Sequence, residues 1–264
     1  EGRREQTLKT DQDNGIVFRA EPGRTAAQTR AALLPVAVRI NQALAAIGFP
    51  LCPGNVMAGN PALCLNQAEW RERFGAWIDA GGPQSLLNAS TYFDLRPIHG
   101  DFGPADELRD DLRQRVPGNR RFLRQLAEQA ISNTPPLGLM GDFRLDERDD
   151  GAIDLKLKGA MPLIDGVRVL ALAHGVAETN TFSRLRALTE LDAVGADEAG
   201  AWHDAFGFVL LLRLRHQRAR QREGLSPDNH VRLDTLNALE RRILKEAFRQ
   251  ARKLQARLAA DYDL

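Results

Sequence analysis

The sequence predicts an α+β protein, with a small α/β unit over residues 1–103 followed by a helical bundle over residues 104–264. Three observations predict it. Two apolar runs, GIVFRA at 15–20 and SLLNASTYFDLRPIHG at 85–100, read as strands on either side of helical patterns. After Gly103 the chain changes character, and nearly every segment carries apolar positions at helical spacing. The chain has 264 residues, 43% of them hydrophobic, which supplies one large or two modest domains with buried cores.

The elements follow in order. Residues 15–20 read as a strand, and Pro22-Gly23-Arg24 as a turn. Residues 25–47 have helical periodicity, with Pro35 inside it as a candidate kink or break. Residues 48–61 are rich in Gly, Pro and Asn and read as a loop or a short irregular strand. Residues 67–80 form a short amphipathic helix in which Trp70, Phe74 and Trp77 share a face, an arrangement typical of core packing. The second apolar run, 85–100, closes the first unit as a strand ending at Arg96-Pro97. Residues 105–133 are helical with an interruption near Pro117-Gly118. Residues 139–158 read as a hairpin turning at Asp149-Asp150-Gly151, or as an ordered loop. Helices follow at about 164–177, 180–191, 197–223 and 232–261.

Composition excludes several classes. Lys and Arg number 36 against 35 Asp and Glu, a net charge of +1, so no global basic bias argues for nucleic acid, although Arg residues cluster at 213–222. No apolar run reaches the length of a membrane span and no signal peptide is visible. Cys52 and Cys64 are the only cysteines and lack the spacing of a zinc site, which suggests unpaired thiols in a reducing, cytoplasmic setting. The five histidines form no H-x-x-x-H pair, and no nucleophilic Ser or Cys motif with a base is visible.

The stretch Thr10-Asp11-Gln12-Asp13-Asn14 precedes the first strand. In an extended chain residues i and i+2 share a face, so Asp11 and Asp13 project together. Like charges that close repel unless something neutralises them, and a divalent cation does so. The same residues are also ordinary turn chemistry before a strand.

Further motifs settle the context. The chain carries Gly2-Arg3-Arg4-Glu5-Gln6-Thr7, then Gly54-Asn55-Val56-Met57-Ala58-Gly59-Asn60-Pro61, Phe93-Asp94-Leu95-Arg96-Pro97-Ile98-His99-Gly100 and Ile153-Asp154-Leu155-Lys156. With Asp11-Gln12-Asp13 these resemble, in order, motifs of nucleotidyltransferases in the DNA polymerase beta superfamily. The match is to the group of the PII-protein uridylyltransferase and glutamine synthetase adenylyltransferase, within a subgroup often fused to CBS or cyclic-nucleotide-binding modules. It covers nearly the whole chain. The Gly-Ser turn expected just before Glu1 is not in this sequence, and the chain starts without Met, so it reads as part of a longer protein.

The resemblance implies a nucleotidyltransferase domain at 1–103, a helical substrate-binding domain at 104–264 and regulatory domains fused upstream. It implies Mg²⁺ bound by Asp11, Asp13 and Asp94, the catalytic carboxylates, and an NTP (ATP or UTP) held with the help of Gly2, Arg3, Lys9, Thr10, Arg96 and Lys156. The acceptor would be a hydroxyl on a regulatory protein or a small molecule. Lys156, Arg184 and Arg213 each have two readings, contact with nucleotide or acceptor and a solvated face. Lys156 belongs to an alternating run, Ile153 to Lys158, that reads as a strand with one charged face. A pure nucleotide-sensing signalling module is the second hypothesis. The three carboxylates favour the enzyme, because a sensor has no need of them.

Overall fold

The computed structural model describes residues 2–19, 22–138, 141–145 and 151–264. Its architecture is α+β and it divides into two compact units, Glu1–Gln6 with Thr10–Arg115 and Thr7–Lys9 with Val116–Leu264.

In the first unit, β1 (Ile16–Phe18) pairs in parallel with β2 (Cys64–Asn66), Ile16 opposite Cys64 and Phe18 opposite Asn66. Parallel strands need a long crossover, and α1 (Ala26–Ala46) provides it. Thr25 and Gln28 form a reciprocal cap at its start. The helix runs unbroken through Pro35, which lies on its exposed side where water can satisfy the carbonyl that loses its donor. The short strand β2 lies in a stretch whose sequence shows no period-two signal.

Two helices follow, α2 (Gln67–Ala80) and α3 (Pro83–Tyr92). The expected strand at 85–100 is therefore corrected: most of it is helix. Gly82 and Pro83 start α3, Pro at a first-turn position where its missing N–H costs nothing. Leu86, Ala89 and Phe93, spaced three and four apart, are its buried face. Phe93 packs edge-on against Phe74 of α2, their ring centroids 5.3 Å apart. A two-stranded sheet cannot bury an apolar run on both faces, whereas a helix lying on α2 can. The unit ends with α4 (Gly103–Arg115).

The second unit is a helical bundle: α5 (Arg120–Ser132), α6 (Met161–Ala173), α7 (Thr181–Glu190), α8 (Ala196–Arg222) and α9 (Ala238–Asp261). The helix α6 is buried on nearly all sides, as the central member of a bundle must be. Gly166 lets α9 approach it: a Cβ there would stand 2.6 Å from a Leu254 methyl. Phe206 and Val209 of α8 and Leu244, Phe248 and Leu258 of α9 complete a core from which water is excluded.

The hairpin expected near 142–158 lies partly outside the described residues. Asp149 and Asp150 of its turn lie outside the described residues. The strand β3 (Ala152–Asp154) pairs antiparallel with a distant segment, β4 (His230–Arg232), Ile153 opposite Val231. The strand stops at Asp154, whose carboxylate accepts from the Lys156 and Leu157 amides and starts a π-helical turn, Leu155–Ala160, that leads into α6. Lys156 and Lys158 therefore ride on a helical turn, exposed, and form no charged strand face.

Candidate active site

The segment Thr10–Asn14 is laid against the Gly/Pro-rich loop by two backbone bonds, from the Gln12 amide to the Pro50 carbonyl (3.1 Å) and from the Asn14 amide to the Val56 carbonyl (3.0 Å). Side chains then alternate. Gln12 and Asn14 turn inward onto Asn41 of α1. The Asn41 amide nitrogen donates to Gln12 Oε1 (2.9 Å) and Asn14 Oδ1 (3.0 Å), and its oxygen accepts from the Gly59 amide (2.9 Å). Gln12 Nε2 donates to the carbonyls of Asn41 (2.8 Å) and Phe49 (2.9 Å). Asn14 Oδ1 also accepts from the Ala58 amide (2.8 Å). Gln12 and Asn41 are 5% and 4% exposed, so this network is an internal polar clasp with its partners in place.

The other face carries Asp11 and Asp13. One carboxylate oxygen of each and the Cys52 sulfur lie within 4.8 Å of one another. Burial pushes the Cys52 thiol above its ordinary pKa, and its hydrogen bond to Asp13 and the Asp13 charge push the same way, against backbone bonds involving Val56 and Gly54. At neutral pH Cys52 is thus a neutral thiol donating to Asp13. Tyr92 stands beside this group. Burial raises its phenol pKa first, the Asp13 charge next, and its ring packs 5.1 Å from that of Trp77 and 5.9 Å from that of Trp70. The indole of Trp70 donates to the Ile16 carbonyl (2.9 Å), so the aromatic cluster also anchors β1.

Asp94 follows α3 directly and is 3% exposed. Arg3 Nη1 donates to its carboxylate (3.1 Å), while Arg3 Nε donates to Glu5 (2.9 Å), whose side chain is also buried. One guanidinium therefore compensates two buried carboxylates. Gly2 is required for this approach: a Cβ at that position would sit 1.5 Å from the Asp94 carbonyl oxygen.

Two family models match the chain. One, described as "Putative nucleotidyltransferase substrate binding domain", spans residues 120–262, and the other, "Putative nucleotidyltransferase DUF294", spans residues 1–84. The chain belongs to this nucleotidyltransferase family. A search of curated proteins returns no match.

The motif residues of the first unit gather around two centres. Asp11 and Asp13 share one with Cys52; Gly2, Arg3, Glu5 and Asp94 make the other. Thr10 bonds locally, its hydroxyl donating to the Asp11 carbonyl (3.2 Å). Arg96 is half-buried near the second centre in sequence. Lys9 and Lys156 belong to the second unit, both exposed; the Lys9 amide donates to Gln217 Oε1 of α8 (3.2 Å). Sequence reasoning missed Gln12, Asn14, Asn41, Cys52 and Tyr92. The period-two argument that paired Asp11 with Asp13 already put Gln12 and Asn14 on the opposite face, and that was the signal available for them. Cys52 and Tyr92 carried none, because their approach depends on how the loop and α3 fold back.

The donor set can be tested against the Mg²⁺ such transferases commonly use. Mg²⁺ is a hard ion that takes one or two carboxylates and completes its shell with phosphate oxygens and water. Asp11 and Asp13 supply that pair. A softer ion would call for thiolate or imidazole, and the one sulfur here is held protonated against Asp13. The residues therefore fit a hard divalent cation on two carboxylates, with the thiol as a hydrogen-bond donor behind them.

Proposed function

We propose that the protein is a Mg²⁺-dependent enzyme that moves a nucleoside monophosphate from ATP or UTP to a hydroxyl on a protein or small molecule, in a cytoplasmic regulatory role. The observation that carries this reading is the convergence of Asp11 and Asp13, held together by the Gln12–Asn14–Asn41 clasp. Bringing two like charges together costs stability. A fold that spends a buried polar network to do so is preorganised for a cation.

In the proposed reaction the acceptor oxygen bonds to the α-phosphorus, the bond from that phosphorus to the bridging oxygen breaks, pyrophosphate leaves, and the hydroxyl proton passes to solvent. Such transfer depends mainly on positioning and charge neutralisation. Asp11 and Asp13 hold the cation. Bound Mg²⁺ would screen the phosphates and lower the pKa of the attacking hydroxyl. Asp94 is proposed as the third acidic residue, paired with Arg3. Gly2, Arg3, Thr10 and Arg96 shape the phosphate side, and Lys9 and Lys156 are proposed as contacts of the second unit with nucleotide or acceptor.

The test incubates the chain with each α-labelled NTP, Mg²⁺ and cell lysate, and measures label transfer and pyrophosphate release. Asp11→Asn and Asp13→Asn should abolish transfer while the melting temperature holds or rises, because the repulsion is relieved. If both variants melt lower than wild type and still gain its full stabilisation from Mg²⁺–NTP, the two residues are turn formers and the reading fails. Mg²⁺-dependent NTP binding without transfer to any component would instead make the protein a nucleotide sensor.

A further inference from the structure

The second unit holds a buried cation that the site above does not use. Arg213 of α8 is 6% exposed. Its hydrogen-bond partners among the described residues are neutral: Nε and Nη2 donate to Asn229 Oδ1 (3.3 and 3.2 Å), and Nη2 to the Thr7 hydroxyl (3.4 Å). No carboxylate lies within ion-pair distance of it among those residues. Asp154 acts on it only through its field, and burial lowers the guanidinium pKa against that field.

The neighbouring polar residues of the same stripe are partnered differently. His216, Gln217 and Arg220 lie three, four and seven residues on, so they share the helix face of Arg213. His216 Nε2 meets Asp228 at 2.7 Å and Arg220 meets the same carboxylate at 3.1 Å. Gln217 donates to Asn229 Oδ1 (3.0 Å) and accepts from the Lys9 amide (3.2 Å). The fold thus supplies Asp228 for the partly exposed Arg220 and gives the buried Arg213 an amide and a hydroxyl. A buried guanidinium without a paired anion is costly. One end of its fork remains available: Nη1 has no hydrogen-bond partner among the described residues, yet it is not sealed from solvent. The half-buried Thr7 and Asn229 hold the rest of the fork, and the exposed Lys9 is tied in through its amide on Gln217.

We infer that Arg213, with Thr7, Asn229 and Lys9 around it, is a binding site for a phosphate group, and that the missing counter-charge is the ligand's. Guanidinium forks match phosphate oxygens in pairs, and a water-excluded donor strengthens each bond. The assignment rests on the nucleotidyltransferase reading for its ligand class. The phosphate would come from the NTP or from a phosphorylated acceptor.

The experiment titrates the full chain calorimetrically with inorganic triphosphate and, separately, inorganic phosphate, in EDTA. Wild type should bind triphosphate. Arg213→Gln should weaken it about tenfold or more, the size expected for one charge-assisted pair. Asn229→Asp is the second arm. It keeps the shape and places a carboxylate against the guanidinium, so it should raise the melting temperature while weakening triphosphate to a similar degree. Preference for triphosphate assigns the site to the nucleotide, and equal binding of phosphate assigns it to a phosphorylated acceptor. Should Arg213→Gln fail to fold, Asn229→Asp decides alone. Unchanged triphosphate affinity in the folded variants, or no binding of either anion by wild type, would overturn the assignment and leave Arg213 as a clamp on Thr7–Lys9. Asp11→Asn should keep metal-free triphosphate binding, so a failure of the metal site and a failure of this site give different results.

Discussion

Asn41→Ala tests whether the polar clasp behind Asp11 and Asp13 is what holds them. The substitution removes three hydrogen bonds of 2.9–3.0 Å. Asn14 Oδ1 keeps the Ala58 amide (2.8 Å) and loses little. The Gly59 amide and Gln12 Oε1 lose their partners, the first half-buried and the second buried. An orphaned buried polar group costs about 1–3 kcal/mol, so two of them give a loss of about 2–6 kcal/mol. That is a large share of the 5–15 kcal/mol typical of a domain. Urea unfolding followed by tryptophan fluorescence measures it. The chain has three tryptophans; in a Trp202→Phe background only Trp70 and Trp77 of the first unit report, and Trp70 is bonded directly to β1. The change at Trp202 is mild, because it also deletes a buried indole N–H that has no partner among the described residues. Stabilisation by Mg²⁺–NTP should fall in parallel, since Gln12 and Asn14 no longer fix the alternation that aims the carboxylates. A loss under about 0.5 kcal/mol, the range of surface substitutions, with undiminished Mg²⁺–NTP stabilisation would refute the reasoning.

Two further outcomes are expected in the second unit. Gly166→Ala should lower the melting temperature even though Ala favours helices by about 1 kcal/mol over Gly. The new Cβ would meet Leu254 at 2.6 Å in a core where Leu254 is fully buried, an overpacking that costs about 1–3 kcal/mol; a higher melting temperature would show that α6 and α9 can part freely. Burial works to raise the Asp228 pKa, but hydrogen bonds from His216 and the His230 amide and the Arg220 charge outweigh it, so the carboxyl sits below its ordinary value. A carboxylate depressed in the folded state stabilises above its unfolded pKa and loses that stabilisation as pH falls through the folded one. The stability gap between wild type and Asp228→Asn should therefore be full at neutral pH and close below about pH 4. A gap independent of pH would remove Asp228 from the α8 clasp.

The sequence by itself determined the elements whose signal is local. The helical period over 67–80, with Asn66 and Glu69 able to cap each other, is α2 residue for residue. The Pro117-Gly118 interruption separates α4 from α5, and the long helices α8 and α9 declare themselves by periodicity. It also determined the alternation of Asp11 and Asp13, because a period of two is a property of any extended chain. What failed was whatever depends on a partner far along the chain. The run at 85–97 is apolar enough for a strand, and only the presence of α2 to lie against made it a helix. Ile153 belongs to a strand whose partner, Val231, stands at the other end of the bundle's sequence, so no nearby turn could reveal it. The sulfur of Cys52, the phenol of Tyr92, the Arg3 clamp on Asp94 and the neutral hydrogen-bond partners of Arg213 have the same cause. Each is a matter of which polar groups share a low-dielectric space, and burial, unlike periodicity, is decided only when the whole chain has folded.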